Sequence, residues 1–249
     1  RQVIATEGCI LVGGAEHEHH PAVGEDLGKN SGLDQLGLDI GQDAVSLFEN
    51  ADAVLEFSAP DATIKHARMA SETKTIHIIG TTALDADHHK IISEASRSTV
   101  IVAAANMSLG VNLLFQLVKQ TSSVLKDVDY DIEISETHHK HKIDAPSGTA
   151  ITLGEFASKG RKRNFNDIKA YDHIKGSEKR KTGDIGFSVS RGGEIPGEHT
   201  VSFIGQSDRI DLSHKAFNRS IFVDGAIEAA IFLSQKKIGF YSMEDVIKA

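Results

Sequence analysis

Short apolar runs alternate with amphipathic stretches over the first half of the chain. "DAVLEFS" (52–58), "TIHIIGTT" (75–82) and "TVIVAAAN" (99–106) read as strands, with "CILVGG" (9–14) as an earlier one. Near-continuous apolar strands suit a sheet covered on both faces. Between them, "PDATIKHARMASE" opens with a proline, which a first helical turn accepts, and "DADHHKIISEASRS" reads as a second helix. This alternation predicts βαβ units around a parallel sheet.

"SLGVNLLFQLVKQTSSVLK" (108–126) predicts a helix with Leu113, Leu117, Val118, Val124 and Leu125 near one face. The pattern then changes. "DYDIEISE" sets Ile132 and Ile134 on one side and Asp131, Glu133 and Ser135 on the other, as a half-buried strand does. "DIGFSVSR", "EHTVSFIG" and "DRIDLSHK" follow as strand-like runs between Gly-rich turns, the sign of consecutive antiparallel strands. "RSIFVDGAIEAAIFLSQKK" returns to helix. The expected fold class is α/β: a Rossmann-like dinucleotide-binding domain over 1–108 and 219–249, and an inserted α+β domain over 109–218 with a mainly antiparallel sheet.

Composition narrows the functional classes. With 249 residues the chain is long enough for two modest domains with real cores. A net charge of -8 argues against a nucleic-acid binder taken as a whole. The single cysteine, Cys9, excludes an intrachain disulfide and fits a reducing cytoplasm. No apolar run reaches the roughly 18 residues of a membrane span, and "RQVIATEG" lacks the apolar core of a signal peptide. The first residue is Arg1 rather than Met, so an N-terminal piece is expected to be missing. The basic tract "KGRKRNFND…KGSEKRK" (159–181) reads as an exposed loop, with nucleic-acid binding as the alternative.

Candidate chemistry gathers in three places. Glu16 follows the first strand, where an acid can accept hydrogen bonds from the ribose of a dinucleotide; a plain surface carboxylate looks the same. Gly80, Thr81 and Thr82, and then Ala104, Ala105, Asn106 and Met107, fall at the carboxyl ends of predicted strands. Ligands sit at that edge of open α/β sheets, although tight turns use the same residues. The third place is "ISETHHKHKIDAPSGTAITLGEF" (134–156), with three histidines and two lysines between His138 and Lys142. Metal binding needs imidazoles that converge. His138, His139 and His141 are too close in sequence for that, and Lys140 and Lys142 repel a cation. The His19–His20 and His88–His89 pairs lie in polar stretches and read as solvated surface. An anion site fits the cluster better. Ser147 is a candidate N-cap, and the amides of Gly148 and Thr149 are then free to meet a carboxylate beside Lys142. One histidine could serve as general acid.

"DIEISETHHKHKIDAPSGTA" resembles the signature of the 4-hydroxy-tetrahydrodipicolinate (dihydrodipicolinate) reductase family. The likeness continues through "IIGTT", "AANMSLGVN", "IGFSVSRGGEIPGEHTVSF" and "LSHKAFNRSIFVDGA". The resemblance implies a cytoplasmic homotetramer of lysine biosynthesis. It implies reduction of a cyclic dicarboxylate by NADH or NADPH with loss of water. By the same resemblance His138 is the catalytic acid/base and Lys142 the proton donor, while His139, Gly148 and Thr149 contact substrate carboxylates. Gly80 to Thr82 and Ala104 to Met107 contact the cofactor, and Glu16 the ribose. Two departures stand out. The family's glycine-rich phosphate loop is absent because Arg1 aligns just after it. His17 follows the ribose acid where NADPH users tend to carry Arg, which favours NADH. The rival readings are another two-domain dehydrogenase of a small acid and a non-catalytic NAD- or metal-binding sensor.

Overall fold

The computed structural model describes residues 1–171 and 179–248. It separates into two compact units, Arg1–Met107 with Phe222–Ala249, and Ser108–Ile221.

The first unit begins with α1 (Gln2–Ala5), β1 (Gly14–Ala15), α2 (Leu27–Asn30), β2 (Ile40–Gly41) and α3 (Ala44–Asn50). β1 and β2 form a two-stranded parallel sheet of their own. The strand expected over 9–14 forms only at its end. Ile10 and Val12 stay 85% and 49% exposed, and an apolar run without a pairing strand or a covering layer gains nothing by extending. A parallel βαβαβ run follows: β3 (Ala53–Glu56), α4 (Pro60–Thr73), β4 (Ile76–Ile79), α5 (Ala86–Ala95) and β5 (Val100–Ala103). Pro60 takes the first turn of α4, and Lys74 closes it in the left-handed region at φ 66°. Asp85 and His88 form a reciprocal capping box at the start of α5. His88 is therefore half-buried and structural rather than a solvated surface group, as its polar surroundings had suggested. Ala67 of α4, Ile79, Ile92 and Ala95 of α5, and Ile101 fill the core beneath these helices.

The second unit holds α6 (Leu109–Val124), β6 (Asp131–His138), α7 (Gly148–Gly160), α8 (Phe165–Ile168), β7 (Lys169–Ala170), β8 (Ile185–Arg191), β9 (Glu198–Ile204) and β10 (Arg209–Lys215). Ser108 caps α6 by accepting from the Val111 amide. α6 turns a different face inward from the one its apolar spacing suggested. Val111, Leu114, Phe115 and Val118 enter the core, while Leu113, Leu117 and Val124 are 51%, 40% and 71% exposed. Two overlapping apolar stripes run along this helix, and packing against α7 selects one of them. That contact is close: a Cβ on Gly160 of α7 would come within 2.3 Å of the Lys119 carbonyl oxygen.

The five strands run in the order β10-β9-β6-β8-β7. Seven-residue antiparallel ladders join β10 to β9 and β9 to β6, and a parallel ladder of equal length joins β6 to β8. The sheet is therefore mixed. The consecutive runs β8 and β9 are not antiparallel neighbours, because β6 inserts between them. The basic tract is not simply a loop either. It contains the end of α7, α8 and β7, and two of its charges are paired: Arg163 with Asp127, and Arg180 with Asp131 and Glu133. The portion of this tract from 172 to 178 lies outside the described residues.

The chain returns to the first unit through α9 (Ser220–Leu233), β11 (Gly239–Tyr241) and α10 (Met243–Ile247). β11 adds in parallel to β5, giving the order β11-β5-β4-β3. Among the described residues no helix is long and apolar enough to cross a membrane.

Ile134→Ala, which empties a fully buried position of β6, should cost about 2–5 kcal/mol of unfolding free energy. Leu113→Ala on the exposed stripe of α6 should change it by no more than about 0.5 kcal/mol. Urea unfolding of both variants checks the choice of face.

Candidate active site

The alternation of β6 carries a polar pair into the core of the second unit. Ile132, Ile134, Glu136 and His138 all point to the buried side. Glu136 receives His138 Nδ1, both terminal nitrogens of Arg191 at 2.9 Å each, and the Ser147 amide at 3.0 Å. Arg191 stands opposite His138 because β6 and β8 run parallel in register. Burial by itself would raise the Glu136 carboxyl, but the hydrogen bonds from His138, Arg191 and Ser147 outweigh it and hold the group down at about 2. Glu136 is thus an ionised acceptor, so the proton of a neutral His138 resides on Nδ1. Nε2 is left as the working nitrogen. It looks towards Gly197, whose Cβ would meet it at 2.9 Å; with glycine there, at φ 157°, the approach to Nε2 stays open.

After His138 the chain turns through His139 to Lys142 and reaches α7. Ser147 is the N-cap: its hydroxyl accepts from the Ala150 amide at 3.2 Å and lies 3.1 Å from His199 Nε2. Lys142 Nζ pairs with Asp144 at 2.7 Å. The Asp144 carboxyl is held below the usual range, first by the Lys142 hydrogen bond and also by the Gly148 amide. A carboxylate already sits where a helix N-terminus and a lysine would hold one. Gly148 is exposed and open on its Cβ side, with Thr149 half-buried behind it. His139 lies 3.5 Å from Arg219 Nη2. Burial first, and then Arg219, push the His139 imidazole down and favour its neutral form. Lys140 and His141 turn outward to Glu194.

The sequence-predicted residues His138, His139, Lys142, Ser147, Gly148 and Thr149 therefore sit together on one edge of the second unit. Glu136, Arg191, His199 and Arg219 belong to the same constellation and were not anticipated. Carrying the alternation of β6 two residues further, to His138, would have exposed Glu136; Arg191, His199 and Arg219 arrive from distant strands and a loop.

In the first unit Gly80 follows β4, with its amide bonded to the Glu56 carbonyl at 2.8 Å, and Ala104 follows β5, bonded to the Ile79 carbonyl at 3.0 Å. Gly80 to Thr82 and Ala104 to Met107 thus share the carboxyl edge of one parallel sheet. Thr81 and Met107 are buried, whereas Thr82 and Ala105 are exposed and Asn106 is half-buried. Glu16 and His17, both exposed, follow β1. A half-exposed Phe57, also not anticipated, lies against Gly80 so closely that a Cβ there would meet the ring at 2.3 Å. A strand edge with small residues at Gly80, Ala104 and Ala105 suits the approach of a nicotinamide dinucleotide, and an exposed carboxylate after a strand suits its ribose. Among the described residues no group of His, Cys, Asp and Glu is arranged to hold a metal ion.

The chain thus joins a parallel α/β unit with such an edge to a unit carrying a buried carboxylate–histidine pair. Residues 1–107 match the family model of the dihydrodipicolinate reductase N-terminus, and residues 110–247 that of its C-terminus. The chain is 44% identical over 249 residues to the 4-hydroxy-tetrahydrodipicolinate reductase of Brucella abortus (strain 2308), covering 99% of this chain and 92% of the relative. It is 47% identical over 250 residues to the Parvibaculum lavamentivorans enzyme so named, covering 99% and 91%. In fold it is similar to a dipicolinate-bound dihydrodipicolinate reductase from Paenisporosarcina sp. TG-14, with a TM-score of 0.73, 20% identity, and coverage of 96% of this chain and 90% of that one. The chain belongs to the dihydrodipicolinate reductase family.

Burial first, and the neighbouring His138 second, push His199 down to about 4 from the usual 6.5. The unfolded chain therefore takes up a proton between those values that the folded chain refuses. This contribution to stability is complete above about pH 6.5 and is lost as the pH falls towards about 4. His199→Gln should flatten the decline of unfolding free energy across that window, as read by urea unfolding at several pH values.

Proposed function

We propose that the chain reduces 4-hydroxy-tetrahydrodipicolinate to tetrahydrodipicolinate in lysine biosynthesis, with the second unit holding and protonating the dicarboxylate and the first holding the nicotinamide cofactor. Family membership supports the reaction. The observation that carries the residue roles is the Glu136–His138 pair, buried and braced by Arg191 beside the Lys142–Ser147 turn.

Bound NADH or NADPH supplies the hydride. Hydride and one proton enter, and the 4-hydroxyl leaves as water. Glu136 fixes the His138 tautomer and stabilises its charge when Nε2 gains a proton, so His138 can take and return one at that atom. Lys142 exchanges Asp144 for a substrate carboxylate and offers the one proton that enters with the hydride, the His138 proton being taken and returned. Arg219, His139 and the first-turn amides at Gly148 and Thr149, with Ser147 as their cap, hold the carboxylates. Such fixed charges need no rearrangement as charge builds on the ring.

Glu16 receives the ribose, and Gly80 to Thr82 with Ala104 to Met107 receive the nicotinamide end. NADH is the preferred cofactor, because His17 lacks the fixed charge and fork of donors that a 2′-phosphate calls for. The working assembly is a homotetramer in the cytoplasm.

Substrate generated from pyruvate and aspartate semialdehyde by the upstream synthase should drive oxidation of NADH, and more slowly of NADPH. Silence with both cofactors refutes the assignment. His138→Gln should lower kcat by about 10²–10⁴-fold, the usual worth of a positioned acid or base. Lys142→Ala should raise KM for the dicarboxylate as well as lower kcat, and should weaken competitive inhibition by pyridine-2,6-dicarboxylate. Unchanged kinetics in either variant would remove that residue from the mechanism.

A further inference from the structure

The first unit carries a buried carboxylate that none of the steps above uses. Glu56 ends β3 with its side chain 4% exposed. Its Oε1 accepts from Ser58 Oγ, Thr63 Oγ1 at 2.9 Å and His66 Nδ1 at 2.9 Å, and its Oε2 accepts from His77 Nε2 at 2.5 Å. His77 is wholly buried in β4 and meets the Phe48 ring edge-on at 5.4 Å. Its Nδ1 has no partner among the described residues. Burial would raise the Glu56 carboxyl, but His66 and His77 more than reverse this and hold it below the usual carboxylate range. The cluster is therefore built around an ionised group, fed by four side-chain donors.

Thr63 ties that charge to the turn. Its hydroxyl has one hydrogen to share among Glu56 Oε1 at 2.9 Å, Thr81 Oγ1 at 2.9 Å and the Ala59 carbonyl at 3.2 Å. Thr81 Oγ1 accepts from Thr63 and from the Ser58 amide at 3.1 Å. Glu56, Thr63, Thr81 and the Ser58 amide form one contiguous polar chain, which holds the Thr81 side chain between Thr63 and Ser58. Thr81 is the middle residue of the Gly80–Thr82 turn.

We infer that Glu56 is a positioning residue of the cofactor site, orienting the Gly80–Thr82 turn through Thr63 and Thr81. The inference rests on the reading that this turn receives the nicotinamide cofactor. Glu56 itself touches neither substrate nor cofactor in this scheme. Glu56, Thr63 and Thr81 are all buried, which strengthens the hydrogen bonds that join them.

Thr63→Val keeps the side-chain shape and breaks the polar chain while leaving Glu56 its other donors; Thr63→Ser keeps the hydroxyl. Thr63→Val should raise the Kd and KM for NADH about tenfold, the worth of one lost hydrogen bond, with KM for the dicarboxylate unchanged within about twofold. Thr63→Ser should restore NADH affinity. Glu56→Gln should weaken NADH in the same selective way, and the double variant Glu56→Gln/Thr63→Val should be no worse than the poorer single one. Hydrogen exchange of the Ser58, Gly80 and Thr81 amides should quicken in Thr63→Val while that of β5 holds. A lower Tm with unaltered NADH affinity and unaltered exchange at the turn would overturn the inference. If the unmodified protein bound neither NADH nor NADPH, the cofactor reading would fall; the amide exchange would still decide whether Glu56 orders the turn.

Discussion

The second unit is organised around one buried charge. The Glu136 carboxylate ties together a strand end, a neighbouring strand and a helix start: His138 two residues along β6, Arg191 across the parallel ladder on β8, and the Ser147 amide at the cap of α7. Removing either ionic partner from such a place leaves the other buried and uncompensated, at a cost of about 3–5 kcal/mol. The pair therefore does not explain stability so much as geometry. With its donors arriving from three elements, Glu136 can be satisfied only when the sheet register and the start of α7 are both correct. The same satisfaction fixes the tautomer of His138, so the register of the sheet and the orientation of that imidazole are one condition.

The first unit repeats this logic with different partners. Glu56 ends β3 and draws two histidines and two hydroxyls onto a buried carboxylate. The parallel strands β3, β4 and β5 bring the residues after them to a common edge. Small residues keep that edge open, and the Phe57 ring closes on Gly80 where no side chain stands in the way. Polar atoms buried below this edge would be costly without partners. The Thr63 and Thr81 hydroxyls supply them.

Much of the fold was legible from periodicity. The strands β3, β4 and β5, helices α4 to α6 and strands β6 and β8 to β10 all carry their pattern locally. What escaped was pairing. Ile10 and Val12 have the composition of a strand and no neighbour. β6 comes between β8 and β9, so a meander in the sequence is not a meander in space. On α6 the sequence offers two apolar stripes, and the close contact at Gly160 with α7 chooses between them. β11 is too short to declare itself without β5 beside it.

The candidate site divides along the same line. The sequence by itself determined the family and the crowded segment from His138 to Thr149, because residues consecutive in the chain can be recognised as a unit. The tight spacing of the histidines and the lysines among them are likewise properties of consecutive residues, and the anion reading in the sequence rests on them. Only the tertiary structure decided which histidine is braced, since Glu136, Arg191, His199 and Arg219 lie on four different segments and meet through strand register. Lys142 and Asp144 show the same limit from the other side. They stand two residues apart, and only the folded turn shows the lysine already engaged by a carboxylate. Local periodicity specifies elements because backbone geometry repeats within a few residues; charge pairing depends on distance in space, which the order of residues does not contain.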